Sequence, residues 1–252
     1  MAKRVLVTGA TSGIGESFVR AYADLAHDLV LVGRNDAALS RLATQLASQG
    51  IHSEVIVADL SAKDGVELVG SQCGDIDVLV LNAGITHAEK IGGTDRDQLD
   101  KLAYLMSAGV VRLCEIVVPR MIKRGIGDVV MVSSIAAFTP MRKAGPYAAA
   151  KAYITSYARS LSLEVKGKGI RVVAVCPGYV RTDLHRRAGL GHLTQSIPGW
   201  MWLNPNDVVR ATFRALNRRK TLVVPGLVYR IAMPFLESTI AQRVWRRMTR
   251  RS

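Results

Sequence analysis

Short β-branched and leucine-rich runs alternate, over the first 180 residues, with longer stretches in which apolar residues recur at helical spacing. The runs fall at 4–8, 28–33, 54–58, 77–82, 128–133 and 170–175, and the helical patterns near 13–26, 36–49, 63–72, 95–123 and 146–166. Strands separated by helices of this length predict right-handed crossovers between parallel neighbours. Runs such as Val129-Val130-Met131-Val132 are apolar at every position, as strands covered on both faces are. With a last strand at 221–225, the pattern predicts an α/β fold: a Rossmann-like doubly wound parallel sheet of about seven strands with helices on both faces.

After Pro177-Gly178 the periodicity loosens. Residues 178–203 are rich in Gly, His, Pro and Trp and read as a long loop with short helical pieces, of which 183–203 would form a lid or substrate wall. A helix begins near Asn204-Pro205-Asn206-Asp207, and 227–252 form an apolar and basic terminal segment. There is no internal repeat. At 252 residues, 49% hydrophobic and 21% charged, the whole chain fits one large domain and excludes a disordered protein.

Charge changes the picture at one end only. Of the net +14, residues 181–252 carry +11, from 14 Lys or Arg against Asp183, Asp207 and Glu237, which leaves +3 for the first 180. A basic end of this kind suits anionic lipid, nucleic acid, an acidic carrier or plain solvation. No nucleic-acid reader motif accompanies it, so no nucleic-acid partner is expected. Placing Ile231, Phe235, Ile240, Val244 and Trp245 toward lipid would allow a peripheral membrane contact. Pro234 interrupts that pattern and favours a helix packed on its own domain. Cys73, Cys114 and Cys176 form no C-x-x-C pair, and His27, His52, His87, His185 and His192 show no ligand spacing, so neither disulfide nor metal is expected. Met1-Ala2-Lys3-Arg4 runs straight into the first strand, and no uncharged apolar run approaches the roughly 18 residues of a membrane span. A cytoplasmic protein is the expectation.

Candidate chemistry begins with Gly9, Thr11, Ser12, Gly13, Ile14 and Gly15, which follow the first strand and open the first helix. Glycines there permit a sharp turn and close approach to a pyrophosphate, which the helix N-terminus attracts. The spacing differs by one residue from the common dinucleotide fingerprint, so the motif alone is equally a structural turn. The second strand ends in Gly33-Arg34, with no carboxylate to repel a 2′-phosphate and a guanidinium to bind it, which favours NADP(H) over NAD(H). A surface arginine is the plainer reading. Asp59, Leu60, Asn82, Ala83 and Gly84 follow the third and fourth strands, where open α/β sheets place their ligand crevice.

Tyr147 and Lys151 lie one helical turn apart. A nearby ammonium favours the phenolate, so Tyr147 can exchange a proton with a carbonyl or alcohol oxygen near neutral pH. Ser134 ends the fifth strand on the same edge and can donate to that oxygen. A lone Tyr-x-x-x-Lys is common by chance. Together with the glycine loop, Arg34, Asn82-Ala83-Gly84 and Pro177-Gly178 in this order, it makes residues 3–183 resemble the classical short-chain dehydrogenase/reductase family.

The resemblance implies Ser134, rather than Ser133, as the group stabilising the substrate oxygen, Tyr147 as acid/base, and Lys151 as the lysine that lowers its pKa and holds the nicotinamide ribose. It also implies that Asn82, Ala83 and Gly84 line the adenosine side, and that Pro177, Gly178 and Thr182 meet the nicotinamide. Two departures follow. Met106 occupies the family's catalytic asparagine position, with Ser107 a substitute if the register shifts by one; a thioether donates no hydrogen bond. The terminal segment replaces a Gly-Gly ending that builds tetramers, which leaves a homodimer through the two long helices as the expected assembly. The expected activity is hydride transfer between NADP(H) and a small-molecule carbonyl or alcohol, medium or large and apolar, held by Ser134, Tyr147, Trp200 and Trp202. The alternative, motivated by Met106, is a catalytically weak dinucleotide-binding regulator or scaffold.

Overall fold

The computed structural model describes residues 2–86, 90–182 and 197–235. Seven strands form one parallel sheet in the order β3-β2-β1-β4-β5-β6-β7: β1 Arg4–Thr8, β2 Asp28–Gly33, β3 Ser53–Val57, β4 Val78–Leu81, β5 Gly127–Val132, β6 Ile170–Val175 and β7 Leu222–Val223. The chain therefore reverses its direction of winding between β1 and β4. Among the described residues the α-helices are α1 Gly13–Ala23, α2 Asp36–Ala47, α3 Lys63–Gln72, α4 Arg96–Leu105, α5 Ala108–Arg124, α6 Gly145–Glu164, α7 Pro205–Asn217 and α8 Leu227–Ala232.

The uniformly apolar strands divide by residue parity. Leu6, Val30, Leu79, Val129 and Met131 face α3, α4, α5 and α6, whereas Val5, Leu31, Val80, Val130 and Val173 face α1, α2 and α7. A period of two with both faces buried is what a two-sided parallel sheet requires.

Most element ends shift from the sequence expectation by one to three residues, and two differences go further. The helix anticipated at 95–123 is two helices, parted at Met106 (φ −107, ψ 15) and Ser107 (φ −142, ψ −89). The Ser107 hydroxyl turns back onto the Ala103 carbonyl, a local bond that competes with helix continuation. Arg96–Arg124 taken together is also long and apolar enough, by length and composition, to cross a membrane, although charged residues such as Arg112 and Glu115 interrupt it. Its apolar face packs into the core instead, with Val110, Leu113, Cys114, Val117 and Met121 buried. The last strand is two residues long rather than five, at the sheet's edge.

The start of the terminal segment docks on its own domain through Tyr229, while Ile231 and Phe235 are exposed. Ile240, Val244 and Trp245 lie outside the described residues, as do 183–196 of the anticipated lid.

Candidate active site

The carboxyl ends of the central strands surround a cleft of about 1150 Å³, partly open to solvent, at the point where the winding reverses. Ligands of open α/β sheets bind at this position. Its walls come from the turn after β1 (Gly9, Ser12, Gly13, Ile14), the stretch after β4 (Asn82–Thr86), the end of β5, the start of α6 and the stretch after β6.

The turn after β1 is built by close packing. Gly9 and Gly13 have φ of +66° and +58°, a region open to glycine at little cost. At Gly15 a Cβ would fall 2.2 Å from the Gly9 carbonyl oxygen, so Gly15 acts in packing; it and Thr11 do not line the cleft. Thr8, 1% exposed, fastens this turn to β4. Its Oγ1 accepts the Asn82 and Ala83 amides at 2.9 and 3.0 Å and donates to the Val80 carbonyl. The Asn82 side chain donates in return to the Thr8 and Gly9 carbonyls at 3.0 and 3.3 Å. Asn82 therefore shapes the glycine turn as well as lining the cleft.

Tyr147, Lys151 and Ser134 line the same cleft on the side of β5 and α6. Pro146 in the first turn of α6 favours helix initiation there and sets Tyr147 one turn before Lys151. Lys151 Nζ lies 5.7 Å from the Tyr147 ring centroid and donates to the Val132 carbonyl at 2.8 Å. Burial draws the Lys151 pKa down to about 8, with Cys176 acting weakly the other way. Ser134 Oγ accepts the Ala136 amide at 3.1 Å and reaches the Pro177 carbonyl only at 3.4 Å, so its proton can turn toward a ligand. Ser133 does different work: its Oγ lies 2.8 Å from the Lys151 carbonyl and 2.7 Å from Thr155 Oγ1, tying α6 to β5.

Met106 is fully buried beside this group. A Cβ placed on Gly84 would lie 3.3 Å from Met106 Sδ and 3.6 Å from Lys151 Nζ, so thioether and ammonium converge on one glycine. With its hydroxyl bonded to Ala103, Ser107 does not take that place.

At the far end, Arg34 is exposed just beyond β2, and Asp59 follows β3. Burial opposes ionisation of Asp59, but the Ser61 amide and hydroxyl at 3.0 and 2.7 Å, with Arg34 and Lys101 nearby, hold its pKa below the usual value. Arg34 and Asp59 flank the cleft without lining it, and Leu60 is buried in the core.

The tryptophans sit elsewhere than expected. Trp200 is exposed, while Trp202 packs at a tilt against Tyr179 with centroids 5.5 Å apart and donates its Nε1–H to the Ile197 carbonyl; neither lines the cleft. The apolar wall comes instead from Ile85, Ile135, Met141 and Tyr179. Sequence reading missed these because strand-tail loops carry no periodicity; their one signal was position just after a strand's carboxyl end.

A family model described as short chain dehydrogenase matches residues 3–191. The chain belongs to the short-chain dehydrogenase family. It is 32% identical over 229 residues to the uncharacterized oxidoreductase YmfI of Bacillus subtilis, covering 88% of this chain and 95% of that protein. Among solved structures, a short-chain dehydrogenase from Sphingobium yanoikuyae in complex with NADPH superimposes with a TM-score of 0.83 at 30% identity, covering 89% of this chain and 88% of that one. The bulky-bulky ketone specific alcohol dehydrogenase from Comamonas testosteroni gives 0.81 at 27% identity, with 99% and 96% covered. This short-chain dehydrogenase is accordingly an NAD(P)-dependent oxidoreductase.

Proposed function

We propose that the protein is an NADP(H)-dependent oxidoreductase interconverting a carbonyl and an alcohol on a medium or large apolar substrate, with Tyr147 as the general acid/base. The observation that carries this reading is a buried ammonium, Lys151, set 5.7 Å from the Tyr147 ring inside the main cleft.

The cleft suits a dinucleotide. The N-terminus of α1 opens into it at Ser12–Ile14, where backbone amides and the helix dipole favour a pyrophosphate. Asn82, Ala83 and Gly84 would border the adenosine side, and Lys151, Pro177, Gly178 and Thr182 the nicotinamide end. Bound there, the dinucleotide supplies or takes up the hydride. Tyr147 gives or receives the proton at the substrate oxygen, and a charged Lys151 favours its phenolate. Ser134 donates to the same oxygen. Arg34 would hold a 2′-phosphate, which supports the preference for NADP(H), as does the NADPH-bound Sphingobium relative. The wall of Ile85, Ile135, Met141 and Tyr179, together with the bulky-ketone specificity of the Comamonas relative, supports an apolar substrate. The proposal extends to a reducing compartment, supported by three buried free cysteines, and to a homodimer along α5 and α6, supported by exposed Tyr153 and Leu163 on α6.

A panel of aldehydes, ketones and alcohols, followed by NADPH absorbance, tests the reading. Tyr147→Phe should lower turnover by about 10²- to 10⁴-fold while NADPH affinity persists. Met106 beside Lys151 favours a second reading, a dinucleotide-binding regulator. Tight NADPH binding by the wild type with no turnover on any substrate would select it.

A further inference from the structure

Past β7 the chain turns at Gly226, φ +86°, into α8, and Tyr229 points back into the molecule, 1% exposed. Its ring covers Gly178: a Cβ there would lie 2.0 to 2.4 Å from three ring atoms. Its hydroxyl donates to the Met201 carbonyl at 2.6 Å and accepts the Tyr179 amide at 3.1 Å. Burial pushes this phenol's pKa upward, so it stays a neutral donor at any working pH.

What it touches matters more than how well it is buried. Gly178, Tyr179, Val180 and Thr182 form one wall of the cleft, which Tyr229 itself does not line. Thr182 closes on the glycine turn, since a Cβ on Gly13 would lie 2.9 Å from its methyl. Behind this wall runs the segment that Tyr229 also holds. Leu203 donates its amide to the Tyr179 carbonyl at 2.8 Å and accepts the Arg181 amide at 2.9 Å. One side chain thus joins the cleft wall after β6, the segment 201–203 and α8, and it lies outside the residues 3–191 that match the family model.

We propose that Tyr229 is a positioning residue that sets the cleft wall 178–182 against the nicotinamide end of the bound cofactor, so that α8 tunes affinity at that end alone. This rests on the reading of the cleft as an NADP(H) site. Removing the hydroxyl leaves the buried Tyr179 amide and Met201 carbonyl without their partner, and a wall displaced by a fraction of an ångström loses complementarity to a bound ring.

The test uses full-length Tyr229→Phe and Tyr229→Leu, with calorimetric binding of NADPH and of adenosine 2′,5′-bisphosphate, which lacks the nicotinamide half. Tyr229→Phe should weaken NADPH by about tenfold, Tyr229→Leu by more, and both should bind the bisphosphate as the wild type does. In the ligand-free protein the Tyr179 amide should exchange hydrogen faster in Tyr229→Phe. Equal weakening of both ligands, or wild-type NADPH binding with unchanged Tyr179 exchange, would overturn the proposal. If the wild type binds neither ligand, the cofactor reading fails, and Tyr179 exchange alone still decides whether Tyr229 holds the wall.

Discussion

Lys151 concentrates the chemistry of the site in one buried charge. Its folded-state pKa of about 8 lies below the 10.5 of an unperturbed lysine. Between those values the unfolded chain binds a proton that the folded one does not, so stability rises with pH across that window. Below about 8 both states are charged and the cost of burying the ammonium is present in full, on the order of 3 kcal/mol. Urea titrations of the ligand-free protein should therefore show a Lys151→Met variant gaining stability over the wild type near pH 7 and losing that advantage toward pH 10. A difference that does not change with pH would show that the ammonium is as well solvated folded as unfolded. At the other end of the cleft, Arg34 is exposed, and at Gly33 before it a Cβ would meet nothing closer than the Leu39 side chain at 3.6 Å. If it binds the 2′-phosphate, Arg34→Ala should cost NADPH roughly ten- to a hundredfold in kcat/KM, the worth of a charge-assisted bond. NADH should be almost unaffected. Equal losses with both cofactors would remove the phosphate role.

Among the elements, the junction between β1 and β4 decides whether the crevice forms. Thr8 is fully buried, and its one hydroxyl serves two amides and a carbonyl. Thr8→Val keeps the shape and strands those groups. A loss of about 2–4 kcal/mol by chemical denaturation is expected, since each buried orphan costs roughly 1–3 kcal/mol. NADPH binding should weaken with it because the glycine turn hangs from the same hydroxyl. Thr8→Ser, which keeps the hydroxyl, should restore binding. This junction was only half legible in the sequence. The strands were readable to within a residue or two because buried parallel runs leave continuous apolar stretches, and Tyr147, Lys151 and Ser134 because each follows a recognisable boundary. The break at Met106 and Ser107 was hidden because apolar periodicity continues across it. Trp200 and Trp202 are placed on the substrate wall by apolarity alone, yet one is exposed and the other packs at a tilt against Tyr179. Tyr229 left no signal at all: a single aromatic in a six-residue helix has no period to announce it, and its partner Gly178 reads as a turn.

Over the whole molecule, a parallel sheet has a direction, and the protein uses its two ends differently. The strands β1, β4, β5 and β6 deliver their carboxyl ends to the cleft, so polar groups there are held for ligands. At the amino ends the prominent polar group is Asp128, at the start of β5 and 4% exposed. It takes a two-pronged bond from Arg171 of β6 at 2.5 and 2.7 Å, and another from Lys3, ahead of β1, at 3.1 Å. This ion triad spans the sheet across β4 and fixes the relative height of strands whose opposite ends carry the site. Removing the carboxylate leaves two cations facing each other with nothing between them. The cations left behind are about a third exposed, so water takes up part of the loss and the cost should be on the order of 1–3 kcal/mol. Asp128→Ala should therefore unfold at markedly lower urea concentration. Well below that transition, its NADPH affinity and kcat/KM should match the wild type, because strand ends some five residues away register a change in global stability without a change in local geometry. If the variant instead lost cofactor affinity while still fully folded, the two ends of the sheet would be mechanically coupled, and the division of labour argued from strand direction would be wrong.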